Sequence, residues 1–144
     1  MNLSPHFSLA ELVASQVATR KGIDNAPAPA IVDNLTRLAA LLERVRALVG
    51  APIAISSGYR SPALNKAVGG AANSAHVLGL AADISTAKLA PKALALLIRQ
   101  SDIAFDQLIY EGTWVHIGLS TGAPRRQVLT AKFAGGVSYV AGIV

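Results

Sequence analysis

Apolar positions recur at helical spacing over two stretches of the N-terminal half. Phe7, Leu9, Leu12, Val13 and Val17 share one face, and Ser8 stands three residues before Glu11 in a capping-box pattern. This predicts a helix over residues 7–20. "GIDNAPAP" then reads as a turn-rich connector. The clearest helix is predicted over 31–49. There Leu35, Leu38, Leu42, Val45 and Leu48 make an apolar stripe, Arg37, Arg44 and Arg46 lie off it, and Gly50 ends it.

Beyond Gly50 the pattern shortens. Residues 53–56 predict a buried strand running into a loop. "SPALNKAV" predicts a short helix with Ser61 as cap and Pro62 in its first turn. "GGAANSAHVLGL" reads as loop, "AADIS" as a strand and residues 89–100 as a helix. "FDQLIYE" and "WVHIGL" are strands joined by Gly112 and Thr113, and "RRQVLTAKF" is a further strand. The tail "FAGGVSYVAGIV" reads as a buried strand pair with a glycine turn, too short to span a bilayer. Helices first and strands later predict an α+β fold: one domain over 1–144, a small, mostly antiparallel sheet with helices packed on it.

The hairpin carries geometry of its own. A two-residue loop with glycine first favours a type II′ turn. That register pairs Glu111 with Trp114 and Ile109 with His116, so Glu111, Trp114 and His116 line one face. A half-buried hairpin with an incidental histidine has the same local pattern.

Composition narrows the function classes. Of 144 residues, 52% are hydrophobic and 15% charged, which excludes a disordered chain. The net charge of +5 suits an acidic partner such as nucleic acid, anionic lipid or an anionic wall polymer. The lysines and arginines are scattered and the aromatics, at 5%, are not interleaved with them, which argues against a nucleic-acid surface. Cysteine is absent, removing disulfides and thiolate metal sites. "MNLSPHFSLAELVASQ" does not read as a signal peptide, and no segment suits stable membrane insertion. The expectation is a monomer made in the cytoplasm.

The chain has three histidines. His6 lies in a polar lead with no acidic neighbour at ligand spacing. His76 and Asp83 are seven apart across Gly79, spacing that suits a loop folding back onto a strand. Asp83 is an acid in an apolar strand, and a buried carboxylate needs a partner, of which a metal is one kind. With His116 the set is two histidines and one aspartate, donors a catalytic zinc accepts while keeping a position open. Spacing alone leaves structural histidines and a turn aspartate as the alternative.

"SGYRSPALN", "GGAANSAHVLGLAADI" and "WVHIGL" together closely resemble the zinc D-Ala-D-Ala carboxypeptidase family, including its phage endolysin members. The family pattern S-x-H-x-x-G-x-A-x-D, with a later W-x-H, is matched by Ser74, His76, Gly79, Ala81 and Asp83, then Trp114 and His116. The resemblance extends to "HFSLAELVASQVATRKGIDNAP" and so covers nearly the whole chain. It implies a hedgehog/DD-peptidase-like fold with zinc at the sheet face, held by His76, Asp83 and His116. It implies a peptidase acting on peptidoglycan stem peptides, with Arg60 on the scissile carbonyl and Ser74 and Trp114 toward substrate. Tyr59 and Asn65 are expected to brace the loop. Many members place an acid three positions before the last histidine, where this chain has Thr113. The nearest acid, Glu111, is therefore assigned as general base, with Asp106 as fallback. The reading is a phage or prophage endolysin reaching the wall by holin-type release. The alternative is a non-catalytic zinc-containing wall-binding or phage structural module of the same fold.

Overall fold

The computed structural model describes residues 1–144. In chain order the elements are α1 (Leu9–Val13), α2 (Gln16–Lys21), α3 (Pro29–Val49), β1 (Ala54–Ser57), α4 (Pro62–Ala67), a 3₁₀ turn (Ala75–Leu78), β2 (Ala81–Ser85), α5 (Pro91–Gln100), β3 (Gln107–Tyr110), β4 (Val115–Gly118), β5 (Gln127–Lys132) and β6 (Ser138–Ala141). The fold is α+β.

The six strands form one sheet in the order β1-β2-β4-β3-β5-β6. Every neighbouring pair is antiparallel except β3 with β5. Opposed residues share a face. The register Ser57–Asp83–His116–Ile109–Leu129–Ala141 therefore runs across one side of the whole sheet. The other side carries Ile84, Val115, Ile117 and Leu108, fully buried in one core with Leu35, Leu38, Leu42 and Val45 of α3 and Leu94 and Ile98 of α5. Helices thus cover one face and leave the other to the polar groups.

Several sequence expectations are corrected. The helix expected over 7–20 is two short helices. Ala14 and Ser15 are extended between them, and the Ser15 hydroxyl accepts from the Ala18 amide to start α2 afresh. The expected Ser8–Glu11 capping box is present on α1. On α3, Val49 rather than Leu48 completes the buried stripe; Leu48 is exposed. The segment expected as loop before Gly79 contains the 3₁₀ turn. Arg125 and Arg126 precede β5 instead of starting it. The C-terminal tail is not a buried strand pair: β6 pairs with β5 alone, at the sheet edge, and Phe133, Val137, Tyr139 and Val140 are exposed. His6 does have an acidic partner, Glu43 of α3, with Nδ1 2.8 Å from Oε1. The partner is 37 residues away, beyond the reach of local spacing. No helix is long and apolar enough to cross a membrane.

Candidate metal centre

His76 is set by a tight loop. The Ser74 hydroxyl accepts from the His76 amide and starts the 3₁₀ turn, and Gly79 ends it in the left-handed region at φ 70°. A Cβ on Gly79 would also come within 2.9 Å of Ile31, so glycine alone fits there. His76 is thereby buried against the sheet, with Nδ1 2.7 Å from the carbonyl oxygen of Gly58. A carbonyl only accepts, so Nδ1 donates to it and Nε2 is the ring nitrogen turned toward Asp83. Gly58 is itself fixed, because a Cβ there would collide with the Leu12 carbonyl.

Asp83 and His116 face each other across β2 and β4. Asp83 Oδ1 lies 3.4 Å from His76 Nε2 and 3.2 Å from His116 Nδ1. Potential ligand atoms of the three residues all lie within 4.8 Å of one another. Burial pushes the Asp83 carboxyl up, but hydrogen bonds and charge from the two imidazoles outweigh it and hold the group well below the usual carboxylate range. A buried carboxylate between two imidazoles, one with Nε2 turned inward, is a donor set that could hold a divalent cation.

Arg60 closes one side. Its Nη2 is 3.7 Å from Asp83 Oδ2, its Nε donates to Ser57 Oγ and its Nη1 to Asn65 Oδ1. Asn65 in turn donates to the Ala71 carbonyl, while Tyr59 is buried with its backbone held by Leu12 and Asn25. Both residues brace the loop.

The hairpin adopts the expected register. Ile109 opposes His116, the Glu111 amide donates to the Trp114 carbonyl, and Gly112 has φ 84°. Trp114 donates its indole N–H to Glu111 Oε2 at 2.8 Å. Burial and the nearby Asp83 charge raise the Glu111 carboxyl above its ordinary value, partly offset by the Trp114 bond. Asp106 is engaged elsewhere. Arg125 grips both its oxygens, at 3.0 and 2.8 Å, and holds its carboxyl below the usual range.

A cleft of about 680 Å³ gathers Arg60, Ser74, His76, Asp83, Glu111, Trp114 and His116. Every site residue expected from sequence lies on this cleft, and Asp106 lies on its wall. A second cleft of about 480 Å³ meets it at Arg60, Asp83 and Trp114. Sequence reasoning missed Ser57, the Gly58 carbonyl, Arg125 and Tyr139. Ser57 and Gly58 sit inside the "SGYR" motif and were within reach; Arg125 and Tyr139 arrive only through tertiary pairing.

A buried His–Asp–His group on the open face of an α+β sheet defines a candidate metal-binding protein. The family model for peptidase M15 matches residues 5–118, and the chain belongs to that family. It is thus a zinc metallopeptidase by family, and the His76–Asp83–His116 group could hold a metal ion. No curated protein matches the chain.

Proposed function

We propose that the chain hydrolyses peptidoglycan stem peptides as an endolysin-type zinc peptidase. In this reading His76, Asp83 and His116 hold the metal, Glu111 is the general base, Arg60 is the electrostatic clamp, and Ser74 and Trp114 face substrate. The observation that carries it is the placement of Glu111 on the cleft beside the His–Asp–His group, with Oε2 held by the Trp114 indole.

Zinc, when bound, supplies Lewis acidity that polarises the scissile carbonyl and acidifies water. Glu111 accepts the proton of the attacking water and returns it to the leaving amine. Its raised pKa suits that exchange, because it makes the carboxylate a stronger base toward the water proton. Arg60 cannot lose its charge, and Ser57 and Asn65 hold it still, so it meets the developing oxyanion without reorganisation. The Ser74 oxygen accepts from the His76 amide and so shapes the loop, a bond that leaves its O–H proton to be donated to substrate. Thr113, where many family members carry an acid, sits at the exposed turn.

Two clefts meeting at Arg60, Asp83 and Trp114 leave room for peptide on both sides of the bond. This supports a cut within the stem, such as L-Ala–D-Glu, over trimming a terminal D-Ala. The net charge of +5 suits an anionic wall. The test is digestion of defined stem peptides by zinc-loaded protein, with products read by mass spectrometry. Internal fragments support the reading. Release of terminal D-alanine alone moves the cut to the chain end, and no product from any stem peptide removes the reading.

A further inference from the structure

The family match ends at residue 118, yet the cleft does not. Ser120, Arg125, Leu129 and Tyr139 complete its wall, and all come from the β5–β6 segment and the loop that leads into it. The His76–Asp83–His116 side of the cleft thus belongs to the matched segment, and part of the opposite wall lies beyond it.

Register says how that wall is built. Ile109 opposes Leu129 in the parallel pair, so continuing one step along the same face sets Glu111 opposite Ala131. Ala131 opposes Tyr139 on β6. Glu111, Ala131 and Tyr139 therefore form one cross-strand row, with the backbones of the outer two about 9–10 Å apart at ordinary strand spacing. The middle residue is the smallest side chain that still points inward. It leaves the space over β5 open, and Tyr139 projects into it at the cleft rim while remaining 52% exposed. The phenol registers its neighbours: burial and the charges of Glu111 and Asp83 raise its pKa. An aromatic ring standing half-exposed beside a catalytic cleft, with a polar tip, is suited to covering a peptide segment while hydrogen-bonding its backbone.

We propose that the β5–β6 hairpin is the specificity wall of the cleft, and that Tyr139 is a specificity-determining residue that contacts the stem peptide across the small Ala131. The proposal rests on the stem-peptide reading above.

The experiment is steady-state hydrolysis of a defined stem peptide by the zinc-loaded full chain and three variants. Tyr139→Thr removes the ring but keeps a residue suited to a strand. It is expected to raise KM about tenfold, the size of a lost aromatic contact, with kcat changed less than about twofold. Tyr139→Phe keeps the ring and is expected to recover most of that loss. Val140→Thr alters the next residue of the same strand, which points to the opposite face, and is expected to leave KM unchanged. A Tyr139→Thr enzyme with wild-type KM overturns the proposal. So does an equal rise in KM for Val140→Thr, which would mean that strand integrity, not ring contact, is being read. Wild-type protein that cuts no stem peptide would instead remove the functional reading itself, so the two failures are distinguishable.

Discussion

The indole N–H of Trp114 donates to Glu111 Oε2 across the mouth of the β3–β4 hairpin, at 2.8 Å. The bond orients the carboxylate and draws its pKa down against the burial and the Asp83 charge that raise it. Trp114→Phe keeps the ring and removes the donor. The base must be ionised to work, so activity rises as pH climbs through the Glu111 pKa. Without the indole bond that pKa rises further, and the acidic limb of the kcat/KM profile is expected to move to higher pH. An unshifted limb would separate Trp114 from the tuning of Glu111.

Glu111→Gln preserves shape and removes the basic oxygen. It is expected to keep the metal and lose about 10²–10⁴-fold in kcat, the usual contribution of a positioned base. Asp106→Asn is expected to stay far closer to wild type, since Asp106 is committed to Arg125. Metal content by elemental analysis beside the turnover assay checks both. Near-normal turnover by Glu111→Gln would move the base elsewhere.

Asp106 and Arg125 carry a pH signature of their own. The Arg125 hydrogen bonds hold the Asp106 carboxyl below its ordinary value, so the ionised form favours the folded state. That stabilisation is present above the ordinary carboxylate pKa and is lost as pH falls through the depressed one. Asp106→Asn is expected to melt lower than wild type at neutral pH, with the two curves converging in acid. A constant gap across pH, read by thermal unfolding, would mean that the charge does not matter.

Metal binding should couple to stability. Zinc at about 100 times its Kd adds about 2.7 kcal/mol to a protein that binds it only when folded. For a chain of this length that is about 5–10 °C in melting temperature. Chelator is expected to lower the transition by that much in wild type, and Asp83→Asn is expected to show no response to either zinc or chelator. A metal response that survives Asp83→Asn would place the ion outside the His76–Asp83–His116 group.

What can be read from sequence follows the range of each signal. Ser61, Pro62, Gly50 and the Ser8–Glu11 pair act within one turn of themselves, and the elements they predict are present. The Gly112 turn sets strand register locally, which is why the pairing of Ile109 with His116 is legible in the sequence alone. The break at Ser15 is not, because a serine in an amphipathic run is read either as a surface residue or as a cap, and only the folded backbone decides. The His6–Glu43 pair, the Arg125 grip on Asp106 and the approach of Tyr139 to the cleft all join residues distant in sequence. The exposed β6 strand misleads for a related reason. Its apolar residues match a buried strand, but no element packs over it and no strand pairs beyond it.

The most direct measurement is digestion of purified peptidoglycan by the wild-type chain, with products read by mass spectrometry, with and without chelator and added zinc. The account predicts stem-peptide fragments that disappear with chelator, return with zinc and are absent for Glu111→Gln. Protein that holds zinc tightly and cleaves no wall preparation would contradict it and leave a metal-containing wall-binding module in its place.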